Sequence, residues 1–298
     1  MSFSAQVKAE LCRASLQRAC CARAEAYGAL LYANSFSDRE VRVITGSPDF
    51  AQRLPKLFRR AFGFGFDSVT ASRGGKRILA ITDAAKIAAI FAAYGYDAAS
   101  TLAHHINLSV LEEECCRAAF VRGAFLAGGS ITDPEKRYHL ELVTDHRSVA
   151  GETLSILLEM GFSPKDTVRA GHYLLYFKQS EAIEDLFTTL GAPNAAMGIM
   201  AAKVEKDMRN AVNRRVNCDS ANADKIVSAA QAQLDRLREI ERGPGLDALP
   251  PELAGLALLR IANPEASLAD LAALSDPPLS KSTVAHRMRR LMSYRPEE

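Results

Sequence analysis

Four of the six cysteines stand as two adjacent pairs, Cys20-Cys21 and Cys115-Cys116. Brought together, four thiolates could make a tetrahedral zinc site, since sulfur ligands suit that cation. Adjacent residues on a helix point about 100° apart, however, and the chain has no CxxC spacing. The sequence therefore favours small buried hydrophobes near two helix starts, with no metal and no cofactor. A second constellation is cationic. Lys281, Ser282, Thr283, His286, Arg287, Arg289 and Arg290 lie close together near the C-terminus, and their side chains are those that meet DNA phosphates and base edges. A third group, Arg209, Asn213, Arg214 and Asn217, either contacts phosphate and adenine edges or belongs to a solvated linker.

Composition limits what these groups can serve. The 298 residues are 48% hydrophobic and carry a formal charge of +2, so a sizeable core is available and any nucleic-acid surface must be local. No uninterrupted apolar run approaches the ~20 residues of a membrane span. Lys8, Glu10 and Arg13 interrupt the start of the chain, which does not read as a secretory signal. Reduced thiols and a cytoplasmic location follow as expectations.

The elements that must position these residues repeat. Seven residues after each cysteine pair lies a glycine, Gly28 or Gly123, which opens a run of small and apolar residues ending near Ser35 or Ser130. The register continues with small slips. Arg42-Val43-Ile44-Thr45 matches Glu141-Leu142-Val143-Thr144, Gly63-Phe64 matches Gly161-Phe162, and Lys76 to Ile81 matches His172 to Phe177. A fixed offset of this kind is what a duplication leaves. Each copy reads helix, strand, strand, helix, strand, strand, helix. The fold class is α+β: a duplicated αββαββα domain over residues 1–198, with repeats at about 20–105 and 115–195, antiparallel sheets and a pseudo-two-fold axis. Glycines at the helix crossing would let the two equivalent helices approach closely, although Gly128-Gly129 also suits a turn.

After Gly198 the composition changes. Residues 199–221 read as a polar, Asn- and Arg-rich linker, and 222–298 as an all-α domain. Asn222 is placed to cap a helix carrying Ile226, Ala230, Leu234, Leu237 and Ile240. Pro251 begins another helix, which Asn263-Pro264 closes. Ser267 caps a short helix with Asp270 near its positive end. Asp276-Pro277-Pro278 then turns the chain, and a second helix starts near Ser280 or Ser282. Its buried stripe is Val284, Met288 and Leu291, and the opposite face is read as Thr283, His286, Arg287 and Arg290. This is the layout of a helix-turn-helix, although a solvated basic helix would carry the same residues. Arg287 is the expected guanine reader, Ser282, Thr283 and His286 meet bases or phosphates, and Lys281, Arg289 and Arg290 supply phosphate charge.

The helix-terminal runs at Gly28 and Gly123 in a duplicated αββαββα frame resemble the LAGLIDADG homing endonucleases. With Arg122 to Ser130, Asp207 to Asn210, Asn213-Arg214, Asn217-Cys218, Leu279 to Ser282 and His286-Arg287, the chain resembles the WhiA family of bacterial sporulation and cell-division regulators. Homing endonucleases hold divalent metal with an acidic residue at the end of each motif helix. Alignment on Gly28 and Gly123 puts those positions at Ala33 and Gly128, which cannot ligate a metal. Asp38 and Asp133 lie beyond and read as surface turn residues.

The resemblance implies a DNA-binding scaffold without cutting chemistry: a transcriptional regulator linked to sporulation or differentiation, cell division and chromosome segregation. It would be nucleoid-associated, would bind double-stranded DNA and other transcription proteins, and would be a monomer or weak dimer. Two other functions stay open at this point. One is a site-specific endonuclease. The other is a protein-interaction scaffold that touches DNA only through the C-terminal module.

Overall fold

The structure, a computed structural model, describes residues 1–72, 74–96 and 104–295. Residues 97–103, within the first expected repeat, and 296–298, at the end of the expected helical domain, lie outside the described residues. A short helix α1 (Phe3–Leu11), capped by Ser2, precedes the repeats; the sequence reading did not anticipate it.

The first repeat contains α2 (Ala19–Leu31), β1 (Ser35–Phe36), β2 (Val41–Thr45), α3 (Pro48–Phe62), β3 (Ser68–Ala71), β4 (Arg77–Ile81) and α4 (Ala84–Ala93). The second contains α5 (Glu114–Gly128), β5 (Gly129–Ile131), β6 (Leu140–Thr144), α6 (Arg147–Glu159), β7 (Lys165–Arg169), β8 (His172–Phe177) and α7 (Ser180–Leu190). The two four-stranded sheets are antiparallel with equivalent orders, β1-β2-β4-β3 and β5-β6-β8-β7. Val43 opposite Leu79 in one sheet corresponds to Leu142 opposite Leu175 in the other. Alternation decides the faces: Val41, Val43 and Thr45 are buried on β2, as are Leu140, Leu142 and Thr144 on β6.

The middle helices stop where the sequence provides for it. Gly63 ends α3 in the left-handed conformation (φ 87°), the position at which a side chain is most costly. At the start of α3, the Ser47 hydroxyl accepts from the Phe50 amide and Pro48 occupies the first turn.

The duplication becomes one domain where α2 meets α5. A Cβ on Gly28 would lie 2.0 Å from the Phe120 carbonyl oxygen and 2.9 Å from the Ala124 nitrogen. A Cβ on Gly123 would lie 2.0 Å from the Glu25 carbonyl oxygen and 2.9 Å from the Ala29 nitrogen. The two sets of contacts are equivalent, which is the imprint of a two-fold relation. Only glycine permits so close a backbone approach. The helices sit parallel in a shared core with Tyr27, Leu30, Phe120 and Phe125.

One polar cluster crosses this core. The buried Glu25 carboxylate accepts from the Arg53 guanidinium at 2.5 and 2.8 Å and from Arg122 Nε at 2.8 Å. Arg53 also donates to the Cys12 and Ala14 carbonyls, and Arg122 to the Leu190 carbonyl. Both repeats are thereby tied to one buried charge.

The remaining helices are α8 (Pro193–Arg242), α9 (Pro251–Ala262), α10 (Leu268–Leu274) and α11 (Lys281–Met292). The chain divides into compact units at Met1–Asp207 and Met208–Glu298. Residues 199–221, read as a polar linker, are helical and belong to α8, and Asn222 lies inside that helix rather than at its cap. The physical reason is the absence of glycine and proline between Gly198 and Gly243. Without a breaker, Ala, Lys, Glu and Arg outweigh the modest turn preference of the asparagines.

Candidate nucleic-acid interface

In the C-terminal unit, Leu237 and Ile240 of α8 pack with Leu253 and Leu256 of α9, Leu271 of α10, and Val284, Met288 and Leu291 of α11. Helix α10 begins with a reciprocal cap. The Ser267 hydroxyl accepts from the Asp270 amide at 3.2 Å, and the Asp270 carboxylate accepts from the Ser267 amide at 2.9 Å. Hydrogen bonding to the Asp270 carboxyl, from the Ser267 side chain first and the Ser267 amide second, holds it below its ordinary pKa. The chain then turns through residues 275–280, tied back by the Leu279 amide donating to the Ala272 carbonyl at 3.0 Å. Ser280 caps α11 by accepting from the Thr283 amide at 3.1 Å.

The buried stripe of α11 is Val284, Met288 and Leu291. At 100° per residue the face opposite that stripe centres on Ser282, His286 and Arg289, all three of them exposed. Lys281 is exposed in the first turn. Thr283 is half-buried, and its hydroxyl is engaged with Ser280 Oγ at 2.8 Å.

Arg287, read from sequence as part of the outer face, lies on a flank instead; it and the exposed Arg290, which borders the outer face on that side, both meet Glu252 at the start of α9. Arg287 Nη2 is 4.0 Å from Glu252 Oε2, and Arg290 Nη1 donates to Glu252 Oε1. Spacings counted from Thr283 misplaced that face, because the core stripe is shifted by one residue from it. Glu252 has no local signature; only the packing of α9 on α11 reveals its role.

Arg209, Asn213, Arg214 and Asn217 are exposed on α8. The four-residue steps from Arg209 to Asn213 to Asn217 place these three on one helical face, with Arg214 beside them. Arg214 Nε donates to the Asn210 carbonyl at 3.3 Å.

At the C-terminal ends of the paired helices, Ala33 follows α2 and Gly128 ends α5. Neither carries a group that can bind a cation. A Cβ at Gly128 would lie 2.5 Å from the Val143 carbonyl oxygen and 2.9 Å from Tyr32 Cδ1. Asp38 is exposed in a bend, and Asp133 Oδ1 accepts from the Glu135 amide in a turn. Several basic residues on the sheets have acidic neighbours. Arg42 is 3.7 Å from Glu40, Arg169 is 3.4 Å from Glu141, and His172 meets Asp145.

The six-residue turn between α10 and α11 is longer than the ~3–4 residues common in this motif, yet the family assignment is clear. A model described as the WhiA C-terminal HTH domain matches residues 212–294, and one described as the WhiA LAGLIDADG-like domain matches 117–209. The chain is 39% identical to the probable cell division protein WhiA of Ruminiclostridium cellulolyticum, over 98% of this chain and 96% of that one. The chain belongs to the WhiA family. It is also 35% identical to the protein of that name from Carboxydothermus hydrogenoformans, over 98% and 96% of the two chains.

The fold agrees with the family assignment. The crystal structure of full-length DUF199/WhiA from Thermatoga maritima matches with a TM-score of 0.61 at 22% identity, covering 98% of this chain and 97% of that one. The N-terminal LAGLIDADG domain of DUF199/WhiA matches with a TM-score of 0.51 at 18% identity, covering 64% and 92%. The expected α+β class, with a duplicated LAGLIDADG-like domain and a helix-turn-helix, is the fold of this WhiA-family chain. Among the described residues no helix is long and apolar enough to cross a membrane.

Proposed function

We propose that this WhiA-family chain is a sequence-specific DNA-binding regulator of transcription. It serves cell division, sporulation-linked differentiation and chromosome segregation, and works in the cytoplasm at the nucleoid. The observation that carries this reading is the outward face of α11. Ser282, His286 and Arg289 stand free of the core on a helix whose position is fixed by two serine caps and an apolar stripe. Such a helix enters the major groove with its N-terminal residues on the bases. Ser282 and His286, in the first half of the helix, take the base-reading role, and Lys281 and Arg289, the latter in the last turn, meet phosphate. Arg287, the reader expected from sequence, and Arg290 are engaged with Glu252, which withholds them from phosphate. Arg209, Asn213, Arg214 and Asn217 add a second polar face on α8.

The exposed Lys281 and Arg289 on α11 favour the C-terminal unit as the principal DNA contact, because an exposed cation that meets phosphate releases counterion on binding. The LAGLIDADG-like domain then acts as a scaffold with docking surface for other transcription proteins, and the chain works as a monomer or weak dimer. No cutting chemistry is assigned to it, since Ala33 and Gly128 supply no oxygen ligand for a hard cation.

The test is footprinting of the full chain on genomic fragments, repeated with Ser282→Ala and His286→Ala. Loss of protection at preferred sites, with non-specific affinity retained, supports base reading. An equal loss on all sequences reassigns the residues to phosphate. Nicking of supercoiled plasmid by the purified chain with Mg²⁺ would overturn the non-cutting assignment.

A further inference from the structure

Cys20 and Cys21 are the second and third residues of α2, and Cys115 and Cys116 are the second and third residues of α5. The glycine crossing holds the two helices side by side with their N-termini at the same end. The sulfurs of all four cysteines consequently lie within 4.8 Å of one another, the only such cluster of His, Cys, Asp or Glu among the described residues. The divergence of adjacent cysteines on a single helix does not keep the thiols apart, because each pair is met by a second pair across the axis.

The spacing suits a single ion. Zinc–sulfur bonds of about 2.3 Å directed to a tetrahedron set the sulfurs about 3.8 Å apart. The Sγ atoms are 4.0 Å apart within each cysteine pair. The cluster is thus within about 1 Å of a four-thiolate zinc shell, and is too compact to enclose an iron–sulfur cluster. We propose that Cys20, Cys21, Cys115 and Cys116 bind one zinc ion, a structural clip that joins the two repeats at the N-terminal ends of α2 and α5.

The surroundings fit the charge. One Zn²⁺ replaces four thiol protons, which leaves a formal charge of −2 on the site. Both cysteine pairs occupy first helical turns, where unsatisfied amides and the helix dipole favour negative charge. The N-cap residues Arg18 and Glu113 offer no side-chain acceptor to those amides. The Arg18 guanidinium lies within electrostatic reach of all four sulfurs. Burial grades from exposed Cys20 through half-buried Cys21 and Cys115 to buried Cys116, so an ion can enter from solvent and still be enclosed on one side. Four protein ligands leave no open position, so the role is structural rather than catalytic. It also lies at the opposite end of the helix pair from Ala33 and Gly128.

The experiment uses the untagged full chain purified without added metal. Elemental analysis is expected to give about one zinc per chain, and X-ray absorption four sulfur neighbours at about 2.3 Å. The Cys20→Ser, Cys116→Ser double variant is expected to lose the metal, while Cys12→Ser, Cys218→Ser keeps it. Removing zinc from the wild-type chain with a chelator is expected to lower Tm, and adding Zn²⁺ back to restore it. Zinc below about a tenth of an equivalent, iron in its place, or nitrogen and oxygen neighbours in the absorption spectrum would overturn the proposal. So would disulfides between these cysteines in the native chain, or zinc retained by the Cys20→Ser, Cys116→Ser variant. The absorption measurement is made on wild-type protein, so a variant that fails to fold leaves the test intact.

Discussion

Replacing Gly123 with alanine sets two effects against each other. Alanine is favoured over glycine in a helix by about 0.8–1.0 kcal/mol. Its Cβ, however, would sit 2.0 Å from the Glu25 carbonyl oxygen and 2.9 Å from the Ala29 nitrogen. Ordinary contact begins near 3.5 Å, so α2 and α5 must separate locally by roughly 1.5 Å. A gap of 0.5–1 Å already forfeits about a quarter to a half of each affected dispersion contact. The obstacle is backbone, not the end of a flexible side chain, so the cost reaches the upper part of the ~1–3 kcal/mol range for overpacked cores.

Setting about 3 against about 1 leaves a net destabilisation of about 2 kcal/mol. Gly28→Ala should cost the same, because its Cβ meets the Phe120 carbonyl oxygen at the same 2.0 Å. One separation relieves both clashes, so the double variant should lose less than the sum of the two. Gly151→Ala on α6 is the control: nothing lies within 4 Å of its Cβ, and it should gain about 0.8 kcal/mol. Urea unfolding followed by circular dichroism measures all four. If Gly123→Ala were as stabilising as Gly151→Ala, the close crossing would be refuted.

Three further outcomes are expected. Arg122→Met should cost about 3 kcal/mol, the low end for breaking a buried ion pair, since Arg53 still neutralises Glu25; Glu25→Gln should cost more, toward about 5, because it strands two guanidiniums, and calorimetric unfolding that ranked them the other way would contradict the network. Glu252→Gln frees Arg287 and Arg290, so the slope of log K against log salt for DNA binding should steepen by about 0.9 to 1.8, one phosphate for each guanidinium released; an unchanged slope would mean that neither arginine reaches DNA. The Lys86 ammonium, with the amides of Asp83 and Thr82, holds the Asp67 carboxyl down to about 2 from its ordinary 3.8. The stability this adds is present above 3.8 and lost as pH falls toward about 2, so wild type should lose its margin over Asp67→Asn across that window in acid titration of Tm.

The repeated αββαββα frame was legible because it rests on local patterns: alternation in Val41 to Thr45 and Leu140 to Thr144, and glycines where helices stop. The serine cap at Ser267 was legible for the same reason, whereas at the start of α11 the sequence did not choose between Ser280 and Ser282. Helix α8 was obscured because the asparagines at 210, 213 and 217 favour turns, while the decisive signal is an absence, that of glycine and proline. On α11 the residue types were readable but their facing was not. A shift of one residue is 100°, enough to carry Arg287 from the outer face to Glu252. The convergence of four thiols and the Glu25 network were invisible, since both depend on how two distant helices cross.

The tight fit around Gly128 also limits what that position can hold. Any side chain introduced there would begin 2.5 Å from the Val143 carbonyl oxygen and 2.9 Å from the Tyr32 ring. An aspartate at that point could be written into the gene by one codon change, but the folded chain has no room to accept it. The β6 backbone and an aromatic ring stand where that carboxylate would have to fit, so packing as well as sequence keeps an acidic side chain out of this position.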